Sequence, residues 1–464
     1  MGTAGVILTV MAYAAPLAAV SGYLALIIGF GNGLGAPVAL LVAALVILLF
    51  VVGYMGMTQR LPRPGAFYTY VAAGLGRPAG LGVAFLALWV YSVVIVALYT
   101  LVGSAGTDLL NSMFGSHSVP WWLWTFAALI GVFALTYFNI EFSARTFLVI
   151  MTLEVVLVAI FVVVVMFDGG PEGRSVEPFT LGAITSGSLG LGVMFAIGVF
   201  SGFEATAIYR DEVRAPERTI PRATYGAVAL LGIIYAIAAY ALITAHGTSG
   251  VVAKAAKDPD ALFSSVTAEY LGSFGSGVLA LFTLTSFFGA CLAGQNIVTR
   301  YVQSLSADGV FIFPGQLAKV HAKQGSPYKA AIFVAGIYFV VQAVIVLAGL
   351  GPNDIYVWAS GAGFYSLILM LGITNLAILA YFWVRRSEVP SLLVICPALS
   401  VVILGSLAYL ATANFEDIAG GGATLTVIGL GIVWVLLGLG IGIGLVLKKR
   451  APSIYARIGR NDAA

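Results

Sequence analysis

The chain has 464 residues, of which 61% are hydrophobic and only 9% are charged. Ordinary soluble domains are about one quarter charged, so this composition cannot cover a soluble surface and excludes a soluble globular protein. The net charge of +3 carries little information by itself, because in such a chain the positions of the charges matter more than their sum. The composition predicts an all-α polytopic membrane protein in contact with the lipid bilayer.

Twelve apolar stretches are long enough to cross a bilayer, which requires about 20 residues per helix. In chain order the predicted spans are Gly5–Ile28, Ala36–Met57, Ala79–Thr107, Trp121–Ile140, Phe147–Phe167, Leu189–Tyr209, Thr224–Ala245, Gly275–Thr299, Tyr328–Leu350, Ile355–Phe382, Ser391–Ala411 and Ala423–Leu447. The first span is too long for the apolar core of a signal peptide. It begins only a few residues after Met1, which leaves open a longer cytoplasmic N-terminus.

The basic residues are distributed asymmetrically between the two sides of this arrangement. Arg174, Lys254 and Lys257 lie in the loops of one side, and every other Lys and Arg lies on the opposite side. The positive-inside rule therefore predicts a cell-membrane protein with both termini in the cytoplasm and a cytoplasmic tail at residues 448–464. On the outer side, Thr248–Leu271 is long and polar, as expected for a short external helix or lid or for a plain solvated loop.

Two spans contain helix-breaking residues. Span 1 carries Ala14-Ala15-Pro16-Leu17-Ala18-Ala19, where the proline removes a backbone donor and clashes with the preceding turn. Span 6 carries Phe200-Ser201-Gly202-Phe203, followed directly by Glu204. Either break alone is also typical of a simple kink, because Gly and Pro are common in membrane helices. Breaks at corresponding positions of two halves indicate a transporter substrate site.

The positions of the breaks suggest an internal repeat. If residues 1–167 (spans 1–5) and 188–383 (spans 6–10) are two halves, each break lies in the first span of its half. Because five is odd, the second half enters from the opposite side, which gives an inverted repeat. Residues 391–447 supply spans 11 and 12, so residues 1–464 are predicted to form a single transmembrane domain.

Two carboxylates, Glu204 in span 6 and Glu154 in span 5, lie well inside apolar stretches. A carboxyl group buried in apolar surroundings favours its neutral form, and it can take up and release protons as its access to water changes. This is the requirement of a proton-coupled carrier. Two structural alternatives are that Glu204 only binds loosened backbone and that Glu154 only pairs with a Ser, Thr or Tyr of a neighbouring helix.

The sequence contains none of the common motifs for catalysis, nucleotide binding or metal binding. We therefore predict no enzyme activity, no catalytic residue, no metal, no cofactor and no nucleic-acid partner. The glycines Gly438, Gly440 and Gly442 lie inside span 12 and indicate close helix packing rather than a phosphate-binding loop. The oligomeric state is left open.

Three segments together resemble the amino acid–polyamine–organocation transporters, and the resemblance extends over most of the chain. These segments are Leu61–Tyr68; Ser201–Glu204 with the following Glu212, Pro216 and Ile220-Pro221-Arg222-Ala223; and Ser306-Ala307-Asp308-Gly309 after Arg300. The resemblance implies twelve transmembrane helices, ten of them in a LeuT-like 5+5 inverted repeat with two C-terminal helices added. It also implies a carrier of amino acids or related amines.

The same resemblance implies roles for the residues at the two breaks. Backbone N–H groups of span 1 would hold a substrate carboxylate, and carbonyl groups from Phe200 to Gly202 would accept from its amine. Phe203 would close over the substrate. The chain departs from the family at two positions. Span 1 has Ala15-Pro16 where the family is rich in glycine, and Glu154 stands where many proton-coupled relatives have lysine. The second departure favours polyamines, ethanolamine-like amines or γ-amino acids.

We predict a secondary-active transporter, most simply a proton-coupled importer, which binds its substrate between the broken spans 1 and 6. Sodium coupling would need hydroxyl groups from span 8, where Thr283, Thr285 and Ser286 are available. The alternatives are a polyamine or amine antiporter of the same fold and a membrane sensor or accessory subunit that moves no solute.

Overall fold

We describe the protein from a computed structural model. It describes residues 3, 6–7, 11, 14–61, 67–114, 119–138, 144–204 and 215–459. Within these ranges the regular secondary structure is entirely helical. Most of the Leu61–Tyr68 segment, together with Glu212 and the last part of predicted span 6, lies outside the described residues.

The helices are numbered here in chain order. They are α1 (residues 16–32), α2 (Ala36–Thr58), α3 (Phe67–Leu75), α4 (Arg77–Phe114), α5 (Trp121–Phe138), α6 (Ala144–Asp168), α7 (Leu181–Ser186), α8 (Leu189–Gly198), α9 (Pro216–His246), α10 (Val251–Lys257), α11 (Ser264–Asp308), α12 (Tyr328–Leu347), α13 (Pro352–Val384), α14 (Leu392–Ala413), α15 (Phe415–Ala419), α16 (Gly422–Arg450) and α17 (Pro452–Tyr455). Short 3₁₀ turns lie at Gly33–Gly35 and Glu177–Phe179.

Each of the twelve predicted spans overlaps one of these helices, but the number of membrane crossings stays a prediction. In the described part of the chain, nine helical stretches are long and apolar enough to cross a membrane. The first of them, Pro16–Thr58, joins α1 and α2, whereas α8 is shorter, with 10 residues. The architecture is therefore an all-helical, multi-pass membrane protein.

The first helices of the two predicted halves, α1 and α8, contact each other directly. A Cβ atom on Gly31 would lie 2.7 Å from the Cα of Gly192, and one on Gly192 would lie 2.7 Å from the Cβ of Asn32. Only glycine permits so close an approach of two backbones. The rest of α1 is irregular, because π-helical turns at Ala19–Tyr23 and Ile27–Asn32 interrupt it.

Helix α4 lies at the centre of the bundle and packs against α3, α11, α13 and α16. The contact with α16 confirms close packing for one of the three glycines predicted to have it. A Cβ atom on Gly440 would lie 2.6 Å from the Cα of Gly82 and 2.7 Å from the carbonyl oxygen of Leu81. A Cβ atom on Gly438 or Gly442 would meet no atom within 4 Å.

Gly440→Ala is expected to destabilise the protein by about 1–3 kcal/mol, because the added methyl group meets backbone that cannot rotate away. Gly438→Ala, on the same helix, is the matched control and is expected to be neutral or slightly stabilising. Thermal unfolding of the purified variants in detergent measures the difference. Equal shifts for the two variants would show that the α4–α16 contact is not tight.

The two ends of the bundle bring together the loops that were predicted to share a side. One end, called here the Arg-rich end, carries Arg60, Arg77 and Arg385. There the Arg60 guanidinium lies 5.4 Å from the centroid of the Phe382 ring. At the opposite end, the backbone N–H of Thr248 donates to Glu172, 2.7 Å away. Which end faces the cytoplasm remains a prediction from the charges.

A short helix, α10, forms in the polar loop Thr248–Leu271, as one of the two interpretations of that loop predicted. It covers the end of α1 opposite to the Arg-rich loops, where a Cβ atom on Gly29 would lie 2.7 Å from the backbone of Ala255. Val251 and Ala255 are fully buried in this contact. The bundle is therefore closed over α1 at the end opposite to the Arg-rich loops.

Candidate functional site

The first break lies immediately before α1. Ala15 adopts a left-handed conformation with φ 44° and ψ 70°, and Pro16 begins the helix. This backbone conformation is unfavourable for a residue with a Cβ atom, and it persists only where the surrounding structure enforces it. Ala19 N–H donates to the carbonyl of Ala15, 3.0 Å away, which closes the first turn after the break. The chain is thus broken at the residues that the sequence singled out.

A carboxylate from a distant helix caps this turn. Glu154 on α6 is only 3% exposed, and its Oε2 atom accepts from the backbone N–H of Leu17 at 3.4 Å. Ser286 on α11 donates to the same oxygen at 3.0 Å and accepts from the N–H of Ala18 at 3.1 Å. Glu154 therefore has the hydroxyl partner that the structural alternative required, and it also binds the broken helix itself.

This capping occupies backbone donors that the family resemblance assigns to the substrate. The N–H groups of Leu17, Ala18 and Ala19 all have partners within the protein, and Pro16 has no N–H group. A substrate carboxylate at the N–H groups of Ala14 or Ala15 stays a prediction, whereas the three N–H groups from Leu17 to Ala19 are occupied. The physical reason is that the positive end of a helix attracts the nearest carboxylate, and here that carboxylate belongs to α6.

The second break follows α8. The helix ends at Gly198, and the next N–H groups bond three residues back, including Ser201 N–H to the carbonyl of Gly198 at 3.1 Å. Gly202 has φ 109°, a conformation open to glycine. Its N–H donates to Oε2 of Glu204 at 2.9 Å.

Glu204 is held on both of its oxygens. While Oε2 accepts from Gly202, Oε1 accepts from the Tyr91 hydroxyl at 2.9 Å. Tyr91 lies on α4, more than 100 positions earlier in the chain, so the contact joins the break to the centre of the bundle. Both donors are neutral groups, and they fix the direction of the carboxylate.

A cavity of about 390 Å³ lies between the two breaks. This volume falls within the range of small-molecule sites, about 300–1,000 Å³. Its walls are mainly apolar and aromatic, and they carry one acidic and one basic side chain among the described residues, Glu204 and Arg300. Arg300 is exposed and lines the part of the cavity at the Arg-rich end, which we take as its mouth.

Aromatic rings form much of the cavity wall. Tyr54, Phe67, Tyr68, Tyr91, Tyr301 and Phe364 all line the cavity. The rings of Tyr91 and Tyr301 have centroids 6.0 Å apart. Away from the Arg-rich end, the ring of Tyr23 meets that of Phe364 edge-on at 5.1 Å. An organic cation can interact with both a carboxylate and the faces of such rings.

The sequence-predicted site residues separate into two groups. Those that line the cavity are Ala14, Ala15, Ala18, Ala19, Ser201, Gly202 and Glu204. Those that are buried outside its lining are Pro16, Leu17, Phe200, Phe203 and Glu154. Phe203, the expected aromatic gate, packs edge-on against Phe50 and Tyr54 with centroid distances of 5.9 and 6.2 Å.

Three polar residues at the site were not predicted as part of it. Tyr91 binds Glu204, Ser286 links Glu154 to α1, and the Tyr235 ring lies 5.9 Å from that of Phe200. No local motif distinguishes Tyr91 or Tyr235 from tyrosines that are buried for packing alone. Ser286 was considered only as a sodium ligand.

The three hydroxyls considered for sodium lie in different surroundings. Ser286 reaches α1, whereas Thr285 is exposed and donates to the carbonyl of Phe282 on its own helix. Thr283 lines a smaller pocket of about 40 Å³ at the end of the bundle opposite to the Arg-rich loops. Within the described ranges, no cluster of three or more His, Cys, Asp or Glu side chains is suited to hold a metal ion.

The smaller pocket contains two acids, Asp108 and Asp260. Asp260 lies in the turn before α11 and accepts from the Ser104 hydroxyl at 2.8 Å. Burial raises the pKa of Asp260 to about 6, although the bond from Ser104 acts in the opposite direction. The neighbouring charges of Asp258 and Asp108 raise the pKa further.

This raised pKa predicts that stability falls as the pH rises through about 6. Because Asp260 binds its proton more tightly in the folded protein than in the unfolded chain, where its pKa is about 3.9, its contribution is complete at low pH. That contribution is lost as the folded-state carboxyl ionises. Asp260→Asn is expected to flatten the melting temperature between about pH 4 and pH 7. Glu269→Gln, an exposed acid on α11, is the control, and an unchanged slope in Asp260→Asn would contradict the prediction.

Comparison with known proteins gives the following similarities. A family model described as amino acid permease matches residues 2–443. The low-affinity putrescine importer PlaP of Escherichia coli (strain K12) is 26% identical over 361 residues, which cover 76% of this chain and 74% of that protein. The gamma-aminobutyric acid permease of Bacillus subtilis (strain 168) is 25% identical over 363 residues, 74% of this chain and 72% of that protein. The branched-chain amino acid permease BcaP of the same organism is 26% identical over 326 residues, 65% of each chain.

Proposed function

This chain belongs to the amino acid permease family, within the amino acid–polyamine–organocation superfamily, and from that premise we propose that it is a proton-coupled importer of an amine-bearing solute. Members of the family are permeases, so the chain is a membrane transporter of amino acids or related amines and not an enzyme. The proposal adds the location of the substrate, the coupling ion and the direction of transport.

The observation that carries the proposal is the cavity between the two breaks. It is lined from one side by Ala14 and Ala15 and from the other by Ser201 and Gly202. Backbone that leaves regular helix at the depth of a membrane is tolerated where it lines a cavity or is buried in protein. Such paired breaks are typical of the substrate site of secondary transporters.

Glu204 is the group best placed to bind the amine. Its carboxylate lines the cavity beside aromatic rings. Tyr91 and Gly202 orient this carboxylate by hydrogen bonds, but neither donor carries a charge that would neutralise it. A protonated amine would bind there through a charge-assisted hydrogen bond. Backbone carbonyls of residues 199–202, which lie outside regular α-helix, would accept further hydrogens of the amine.

The ionisable groups of the site are suited to couple transport to protons. A carboxyl that faces an apolar cavity can exchange protons with whichever side the cavity opens to. In our proposal Glu204 exchanges protons while the site is empty and is ionised while it binds the amine, and a proton crosses with the substrate from outside to inside. Glu154, which lies outside the cavity, holds the break in α1 and forms the second ionisable group of the site.

The charge distribution gives the orientation that we propose. The cavity opens beside Arg300, and the positive-inside rule places that end in the cytoplasm together with both termini. The structure would then correspond to an inward-facing state of a twelve-span, 5+5 repeat transporter. Closure near Tyr68 and Ser304, which also line the mouth and are joined by a 3.1 Å hydrogen bond, would give the opposite state.

Uptake by reconstituted vesicles tests this function. Labelled amines and amino acids are offered to vesicles with an acidic exterior, with no pH gradient, and with a protonophore. We expect accumulation above the external concentration only with the gradient. Uptake that requires internal substrate would identify an antiporter, and equilibration without accumulation would identify a channel. No uptake above that of protein-free vesicles would favour a sensor or accessory subunit.

A further inference from the structure

We propose that Glu154 determines substrate class: it serves as a carboxylate built into the protein, and the solute transported is an amine with no carboxylate on the carbon that bears the amino group. This inference rests on the proposed transport function and specifies the substrate of the same site. Its basis is the contact of Glu154 and Ser286 with the start of α1.

The N–H groups of Leu17, Ala18 and Ala19 at the start of α1 are occupied by groups of the protein itself. The N–H groups that follow a helix break carry partial positive charge, and they are the natural place for a ligand carboxylate. Here Leu17 N–H bonds to Glu154, Ala18 N–H to Ser286, and Ala19 N–H to Ala15. A substrate carboxylate would have to displace one of these partners.

A substrate carboxylate could not displace Glu154 from these N–H groups. Glu154 is 3% exposed and lies behind α1, outside the lining of the cavity, so it cannot turn into bulk water. A second carboxylate at the same N–H groups would lie against the first, and two negative charges in a buried site repel strongly. Ser286 cannot relieve this repulsion, because it already donates to Glu154.

The cavity wall that the substrate would touch beside α1 is apolar. Beside the capped turn the cavity is lined by the methyl groups of Ala14, Ala15, Ala18 and Ala19. Further apolar surface comes from Val94, Ile95 and Leu98 on α4. The described acid of the lining, Glu204, then faces an apolar wall, an arrangement that suits an amino group attached to a carbon chain.

A carboxylate far from the amino group remains compatible with this arrangement. Arg300 lines the mouth of the cavity and is exposed. An acid group several carbons from the amine can therefore reach the mouth without approaching Glu154. The excluded class is the α-amino acid, whose two charged groups share one carbon.

The test compares each α-amino acid with the amine formed by its decarboxylation. Suitable pairs are ornithine and putrescine, leucine and isopentylamine, and tyrosine and tyramine. We expect the wild-type protein to transport the amine of at least one pair, with the matching amino acid at least about 10-fold weaker as substrate or competitor. That ratio corresponds to about 1.4 kcal/mol.

Variants of Glu154 separate its role in specificity from a purely structural one. Glu154→Ala empties the space beside Leu17 and Ala18, so the preference for the amine is expected to fall at least about threefold, and acetate in the buffer is expected to restore it. Glu154→Gln keeps an oxygen that accepts from Leu17 but loses the negative charge, so the preference should fall by less than in Glu154→Ala. Val158→Ala, one turn further along the same helix, removes a side chain that is 2% exposed and should leave the preference unchanged.

The outcomes are distinguishable. A wild-type protein that transports the amino acid of a pair as well as its amine would overturn this inference and leave the proposed transporter intact. An unchanged preference in a folded, active Glu154→Ala variant would also overturn it. If Glu154→Ala does not fold, the amine-to-amino-acid transport ratios of the wild type and of Glu154→Gln still decide whether the inference holds. Absence of accumulation for every compound would instead defeat the proposed function itself.

Discussion

Replacing Glu204 with glutamine is expected to abolish accumulation of substrate against a gradient while leaving a folded protein in the membrane. Glutamine has nearly the same shape, and its carbonyl oxygen can still accept from Tyr91 or from the N–H of Gly202, which both donate to Glu204. It carries no charge and no titratable proton. The variant therefore loses the charged partner of the amine and, in the empty site, a carboxyl that can exchange protons.

The expected magnitude follows from the charge-assisted bond. Its loss should weaken amine binding by about 10- to 100-fold, and coupling to the pH gradient should disappear altogether. Binding is measured by thermal shift with added amine, and coupling by uptake into vesicles with an acidic exterior. Tyr91→Phe, which removes one donor but keeps the carboxylate, should retain accumulation at a higher KM.

A control for nonspecific loss is Glu177→Gln, since this exposed acid lies in the 3₁₀ turn Glu177–Phe179, away from the cavity. It should transport like the wild type. Accumulation at wild-type level by Glu204→Gln would remove Glu204 from the mechanism, whatever the behaviour of the other variants.

Gly202→Ala is expected to have the second-largest effect, a loss of uptake of at least about 10-fold at normal expression. The φ angle of 109° at Gly202 is rarely adopted by residues with a Cβ atom, and enforcing it costs about 1–3 kcal/mol. The chain can relieve this strain by rotating the backbone at the break. Rotation would turn the Gly202 N–H away from Glu204 and displace the carboxylate that the site depends on.

Gly349→Ala controls for strain without a functional site. Gly349 has φ 69°, follows the end of α12, and has open space around the position of a Cβ atom. The two variants should lose similar stability in detergent, and only Gly202→Ala should lose transport. Equal uptake by both variants would indicate that the geometry at Gly202 does not matter to the substrate site.

Much of the fold was predictable because the signals are local. An apolar stretch of about 20 residues identifies a span wherever it packs, and a proline or a glycine weakens the helix at its own position. Pro16 and Gly202 therefore marked the two breaks correctly. Glu204 was recognisable because a carboxylate within an apolar stretch is unusual enough to indicate function.

The partners of these residues were not predictable for a physical reason. A membrane helix that is apolar on all sides has no polar face to show which side turns toward its neighbours. Gly438, Gly440 and Gly442 look equivalent in the sequence, yet among them only Gly440 meets the backbone of α4. Tyr91 likewise gives no local sign that it will bind Glu204.

The sequence by itself determined the class of protein, the approximate bounds of its apolar helices and the residues at which two of them break, because hydropathy and backbone preference act over a few neighbouring residues. Only the tertiary structure decided which side chains bind the backbone at the breaks. Leu17 and Glu154 are 137 positions apart, and Ala18 and Ser286 are 268 apart. Packing alone brings these groups together. It gives the N–H groups of Leu17 and Ala18 partners within the protein, and it leaves Glu204 facing the cavity.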